Sequence, residues 1–237
     1  MVDGSGVIFS ISFMPVSFVT HKGWKSSGRG RNPVYETSTS FKTETVHTVF
    51  IQETLADPCI GQDSDIIKKV GQTVVDVAHA HGTCVTLSFR DAVKYMLEYL
   101  TNSTWFGHSI DRDIQFLVQT DQRLGTKIFK KDPMAYPETC CTFGEWSTVA
   151  KVCTQQLLTR RCPKFMDKYI KAGGTSVRLV DLTKYVKGSL QHHTSVQDVL
   201  DLAAVVQRAY EEDRFQLEEG KSYMTCIPLQ TSSLSSR

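Results

Sequence analysis

The 237-residue chain has 27 basic and 25 acidic residues, a formal net charge of +2, with 41% hydrophobic and 22% charged residues. These are ordinary values for a globular protein, and so small a net charge neither supports nor excludes a nucleic-acid partner. Seven cysteines, odd in number and irregular in spacing, argue against a disulfide framework and for a reducing compartment.

The first apolar run, "VIFSISFMPVSFV", is preceded by Asp3 and by no basic residue, and Pro15 interrupts it. It lacks a small-x-small cleavage pattern and is too short to span a bilayer, so it reads as a strand or two rather than a targeting signal. The expectation is an intracellular protein, cytoplasmic or nuclear, not secreted and without a membrane partner. Residues 20–46 are rich in Gly, Ser, Thr and basic residues and read as a loop or linker. Residues 1–46 together are expected to form an N-terminal extension.

"TVFIQET" reads as a buried strand that delivers Glu53 at its far end. "IIKKVGQTVVDVAHA", with β-branched runs around Gly71, reads as a second strand, and "TCVTLSF" as a third, the three suiting an antiparallel meander. Ser88 and Asp91 resemble a capping pair, followed at helical spacing by Ala92, Val93, Met96, Leu97 and Leu100. "STWFGHSI" predicts a fourth strand and "DRDIQFLVQTDQRL" a helix. Residues 119–172 are left as an insertion, expected to hold one or two helices, because unstructured loops of that length are uncommon in compact domains. "TSVRLVDL" predicts a fifth strand, and "TSVQDVLDLAAVVQRAYEEDRF" a long helix with Val196, Val199, Leu200, Ala203 and Val206 as its buried stripe. Residues 216–237 are expected to be a tail.

The order βββαβαβα, with right-handed crossovers stacking helices on a mixed sheet, is that of the α/β ribonuclease-H-like fold, here assigned to residues 47–215. On it, Glu53 ends the first strand, Asp113 opens the helix after the fourth, and His193 and Asp198 flank the start of the last helix. Taken singly, each acid reads as a solvated strand end or as a partner of a helix dipole. Taken in order, "ETLADP…DIIKKVGQTVVD", "GHSIDRDIQFL" and "HHTSVQD" resemble the three motifs of the DEDDh family of 3′→5′ exonucleases.

That resemblance implies a phosphodiester hydrolase acting on DNA or RNA, at single-stranded 3′ ends, with two Mg²⁺ or Mn²⁺ ions. Glu53, Asp113 and Asp198 would be metal ligands and His193 the general base, a role suited to imidazole. The chain departs from the family at its first motif, Asp-x-Glu, where Ile51 stands two residues before Glu53. An isoleucine cannot coordinate a cation. Asp57, Asp63, Asp65 or Gln52 could supply the missing oxygen, and the alternative is a catalytically impaired relative that binds nucleic acid or a protein.

His108 is expected to pack or bond behind the site. Cys140, Cys141, Cys153 and Cys162 match no zinc spacing, and buried free thiols are the default. Two stretches mix basic and aromatic residues, a pairing that suits single strands through phosphate contacts and base stacking. One carries Lys22 and Lys25 around Trp24, and the other Arg160, Arg161 and Lys164 before Phe165.

Overall fold

The computed structural model describes residues 8–25, 34–55, 75–100, 103–131, 141–142, 150–188, 194–215 and 222–230. In chain order these form β1 (Ile8–Lys25), β2 (Val34–Thr43), β3 (Val46–Ile51), α1 (Gln52–Leu55), α2 (75–81), β4 (Gly82–Leu87), α3 (Phe89–Leu100), β5 (Ser103–Gly107) and α4 (Ile110–Leu124). There follow β6 (Lys130–Lys131), β7 (Cys141–Thr142), β8 (Ala150–Cys153), α5 (Thr154–Arg161), α6 (Pro163–Lys171), α7 (Leu179–Lys187), α8 (Ser195–Asp213) and β9 (Ser222–Gln230). The fold is α/β: a mixed sheet flanked by helices.

The sheet has the order β4-β3-β1-β9-β5-β8, with β2 paired to the outer half of β1. β1 runs antiparallel to β3 and β9, while β3–β4, β9–β5 and β5–β8 are parallel pairs. All strands on the main path except β1 therefore end at one edge, where the carboxyl ends of β3, β4, β5 and β8 lead into the helices that follow them.

Each sheet face buries one apolar cluster. Ile11, Phe13, Val49, Ile51 and Trp105 pack with α3 and α4 on one side. Met14, Val16, Phe50 and Phe106 pack with α5 to α8 on the other. An irregularity between Ile8 and Ser10 interrupts the alternation of β1, so that Ile8 faces the α3–α4 side while Phe9 already faces α8. Val196, Val199, Leu202, Val205 and Val206 of α8 are essentially inaccessible to solvent, and each contributes about 1.5–3 kcal/mol by leaving water.

Helices α3, α4 and α8 lie where the sequence places them, and α3 opens on the expected cap, with Ser88 Oγ donating to Asp91 Oδ2 at 2.7 Å. Residues 119–172 hold the end of α4, β8 and the helices α5 and α6.

Five expectations change. Residues 75–81 are helical rather than part of a second strand, and the rest of that stretch, from 66 to 74, lies outside the described residues. Val75 and Ala78, three apart, pack on the α8-side cluster, a spacing that a short β-branched run leaves ambiguous. β4 pairs with β3 in parallel, through a crossover, so there is no three-stranded antiparallel meander here. The predicted fifth strand is α7: Leu179, Leu182 and Val186 recur at helical spacing and meet the cluster around α8. Residues 1–46 are not merely an extension, because β1 occupies the middle of the sheet. Nor is 216–237 only a tail, since β9 lies between β1 and β5.

Candidate functional site

The site is built at the carboxyl ends of β5 and β8, where Gly107 pairs with Cys153. Such an edge is where open α/β sheets place ligands. The turn from β5 into α4 is tight. A Cβ on Gly107 would come within 2.3 Å of Ile110 Cγ1, and Ser109 adopts the left-handed conformation with φ 67° and ψ 50°. A non-glycine residue there costs of order 1 kcal/mol, which the packed turn must hold in place. It aims the first turn of α4 across the sheet edge.

That first turn carries Asp113, only 8% exposed, with no hydrogen-bond partner for Oδ2 among the described residues. Burial drives its carboxyl well above the usual carboxylate range. The neighbouring Cys153 and the charge of Asp198 push the same way, and Arg112 opposes them. Asp113 and Asp198, from α4 and α8, thus share one electrostatic environment although they lie on different layers.

The start of α8 is pinned beside them. Thr194 Oγ1 accepts from Gln197 N at 3.0 Å. Ser195 Oγ lies 3.0 Å from Ser10 Oγ and 2.7 Å from Ser12 Oγ, and Ser12 reaches Thr48 at 3.0 Å. These buried hydroxyls fix α8 against β1 and β3 without introducing charge.

His108 sits behind the site. Its Nδ1 lies 2.8 Å from Thr154 Oγ1, which donates to Gly107 O at 3.1 Å, and its Nε2 lies 3.3 Å from Gln155 Nε2. Burial lowers its pKa to about 4, against the opposing effect of a backbone bond to Val177. It serves as a neutral tie between β5 and α5.

Glu53 is placed otherwise. It lies in α1 rather than at the end of a strand, and both carboxylate oxygens accept from Phe89 N, at 3.1 and 2.9 Å. It therefore caps α3. β1 and β9 separate β3 from β5, three strand spacings or about 14 Å, so Glu53 does not join the Asp113–Asp198 pair. Ile51 is fully buried in the α3–α4-side cluster. His192 and His193 lie outside the described residues, as do Asp57, Asp63 and Asp65.

Arg160 and Arg161 are exposed in the last turn of α5, about 10 Å along its axis from its start, and Lys164 is exposed at the start of α6. Lys22 and Lys25 lie on the outer half of β1, and their side chains are outside the described residues.

Two oxygen-donor carboxylates, one buried with an orphaned oxygen, suit a hard divalent cation such as Mg²⁺ or Mn²⁺. Among the described residues no group of three or more His, Cys, Asp and Glu side chains is arranged to hold a metal. Also among them, no helix is long and apolar enough to cross a membrane. The sequence reading took Cys153 only as a free thiol, which it is, though half-buried, and missed Thr154, whose signal was a threonine at a helix start inside the segment set aside as an insertion. No family model matches the chain, and neither the curated proteins nor the solved structures searched contain a match to it.

Proposed function

We propose that this chain is a metal-dependent phosphodiester hydrolase of the 3′→5′ exonuclease type, on a diverged ribonuclease-H-like scaffold, working from a reduced set of acids. One observation carries the reading: Asp113, buried with an unpartnered carboxylate oxygen, shares its site with Asp198 at the carboxyl edge of the sheet. Keeping an acid there without a partner costs stability, which is expected of a binding group rather than a packing one.

In this reading Asp113 and Asp198 hold a divalent cation. When bound, that ion supplies positive charge beside the scissile phosphate and lowers the pKa of a coordinated water. His193, two residues before the start of α8, takes the proton from the attacking water. The neutral His108 tie holds β5 to α5, and the hydroxyl cluster under Ser195 holds α8 to β1 and β3. Cys153 and Thr154 close the back of the site.

The test is incubation of end-labelled single-stranded DNA and RNA with Mg²⁺ or Mn²⁺, for the parent, Asp113→Asn and His193→Ala. Stepwise shortening by the parent that falls at least about 100-fold in both variants, the scale of losing a general base, supports the reading. Equal shortening by all three would place the chemistry elsewhere.

A second reading, an impaired relative that binds nucleic acid or a protein without cutting, is favoured by Ile51 and Glu53. One is committed to the apolar core and the other to capping α3. An uncut oligonucleotide that is still retained by the parent selects it.

A further inference from the structure

Residues 150–188, from β8 through α7, hold nine basic residues and two acidic, a net +7 in a chain whose total is +2. The rest of the chain is therefore net −5, so these helices concentrate the positive charge of a nearly neutral protein. Three of the nine cations have carboxylate partners: Lys168 with Glu212 at 3.1 Å, Arg178 with Asp181 at 2.9 Å and Lys187 with Asp201 at 2.6 Å. Arg160, Arg161, Lys164, Lys171 and Lys184 are exposed and form no ion pair among the described residues.

Arg160, Arg161 and Lys164 meet at the corner between α5 and α6. Cys162 and Phe165 are fully buried there. Asp213 of α8 accepts from Lys164 N at 3.0 Å and Phe165 N at 2.8 Å, which fixes the backbone of the corner. The two arginines suit the negative end of α5, an effect of about 0.3–1 kcal/mol, and local stability is reason enough for them. Lys164 is different. It stands in the first turn of α6, at the positive end of that helix, where no acid of the turn balances it. Asp213 spends its two oxygens on backbone N–H groups, and Asp167, three residues on, is the acid that α6 itself carries. A rigid corner thus holds three cations together, and a bound anion relieves their repulsion.

At the other end of α6, about 13 Å along its axis, Lys171 is exposed. Beyond it Lys184 lines a cavity of about 360 Å³ with Tyr169, Tyr185 and the Gly173–Gly174 turn. Asp181 also lines this cavity, its Oδ2 bound by Arg178 Nε at 2.9 Å and by the Ser176 hydroxyl.

We infer that the exposed side of α5 and α6 is a track for a single-stranded nucleic acid, with Arg160, Arg161 and Lys164 on its phosphates and Lys184 on a further phosphate at the cavity beside Tyr185. The inference rests on the nuclease reading for its choice of partner, and it concerns how a strand is held rather than how it is cut. α5 starts at the candidate site, where Thr154 donates to Gly107 O, and ends at the basic corner, so the track leads away from the sheet edge. Guanidinium groups match phosphate oxygens in pairs. Tyrosine rings in a concave wall suit an unpaired base, which a duplex does not offer. A lipid surface fits less well, because Ile170 is the one large apolar residue exposed on these helices.

The test measures the anisotropy of a fluorescein-labelled 15-mer of thymidylate in EDTA, so that binding is read without cutting. The proteins compared are the parent, the triple variant Arg160→Gln/Arg161→Gln/Lys164→Gln and Lys184→Gln. Lys94→Gln/Lys127→Gln, which removes exposed charge on the α3–α4 side, is the control, and thermal melts check that each protein is folded. The triple variant is expected to weaken binding at least about tenfold and to lower the slope of log affinity against log salt by about 2. Lys184→Gln should weaken it about threefold, with a change of slope of about 0.7. The control should bind as the parent does.

Unchanged binding by the triple variant or by Lys184→Gln overturns the inference, as does absence of binding by the parent or an equal loss in the control. Tighter binding of a matched duplex, or of phosphatidylserine vesicles, overturns it as well. The same proteins are assayed with Mg²⁺ on p-nitrophenyl thymidine 5′-phosphate, a substrate too small to reach the corner. Its hydrolysis should be the same in parent and variants, and a fall in the triple variant would place those side chains in the chemistry and overturn the track. No hydrolysis by the parent, with oligonucleotide binding still lost in the triple variant, leaves the track standing and removes the nuclease reading alone.

Discussion

The two ends of α4 each bury an aspartate, and the two are opposites. Asp121, 3% exposed in the last turn, accepts from Thr126 Oγ1 at 2.5 Å, Ile128 N at 2.7 Å and Phe129 N at 3.0 Å. It fastens the chain leaving the helix, and Gly125, with φ 63°, makes the reversal that lets the chain fold back onto it. Asp113, in the first turn, has an oxygen with no partner among the described residues and sits under the charge of Asp198. Burial by itself therefore does not mark a functional group. A buried carboxylate whose hydrogen bonds are satisfied is structural, and one left unsatisfied is held for something else.

The largest expected effect comes from adding a further buried acid. Ile51→Asp restores the side chain of the family motif but places a carboxylate in the same apolar cluster as Ile110 and Leu117. It should lower unfolding free energy by about 4 kcal/mol in denaturant titrations. A variant as stable as the parent would show that water reaches position 51.

Asp121→Ala removes three accepted bonds and leaves two buried backbone N–H groups unpaired. A loss of about 3 kcal/mol is expected, with no dependence on divalent cations. Protonation of His108 is comparable in size. Its folded pKa of about 4 lies below the ordinary imidazole value of 6.5, so the unfolded state binds the proton more readily. Its stabilising contribution is present above pH 6.5 and is lost as pH falls through 4, amounting to at most about 3 kcal/mol. The difference between parent and His108→Gln stability should follow that window, and a flat difference from pH 7 to 4 refutes the assignment.

Asp113→Asn is expected to change stability in the opposite sense from Asp121→Ala. Replacing a buried acid whose charge burial disfavours, and whose Oδ2 has no hydrogen-bond partner among the described residues, should raise unfolding free energy by about 1 kcal/mol in EDTA, while divalent cations stabilise the parent and not the variant. If both aspartate variants are destabilised alike, the contrast between the two ends of α4 fails. The smallest change is Glu53→Gln, which keeps one acceptor for Phe89 N but loses the charge at the start of α3. About 0.5–1 kcal/mol should be lost. Nuclease activity, if present in the parent, should survive it.

The helices were legible because each writes its period along a continuous stretch. α3 repeats Phe89, Val93, Met96 and Leu100, and α8 repeats Val196, Val199 and Leu202, so amphipathicity and caps could be read directly. Asp113 and Asp198 were legible for the same reason, both lying in first turns that the pattern located. Their meeting was not, because residues 85 apart come together only when β5 leads α4, and the beginning of β1 holds the start of α8, to one edge of the sheet. Glu53 shows the reverse case: its motif pointed to a metal, but the nearest donor in space is the N–H of Phe89, 36 residues on.

The sequence by itself determined the α/β class, the long amphipathic helices, the capping pair at Ser88 and Asp91, and the first-turn positions of the two acids, all matters of spacing within a dozen residues. Tertiary structure alone decided that β1 and β9 lie between β3 and β5, which acids share a site, and that Glu53 of "TVFIQET" is a helix cap. Strand order and partner choice depend on contacts between residues tens to hundreds of positions apart. A β-branched stretch can satisfy them from either side of a sheet or from the middle, so local pattern leaves that choice to the packing of the whole chain.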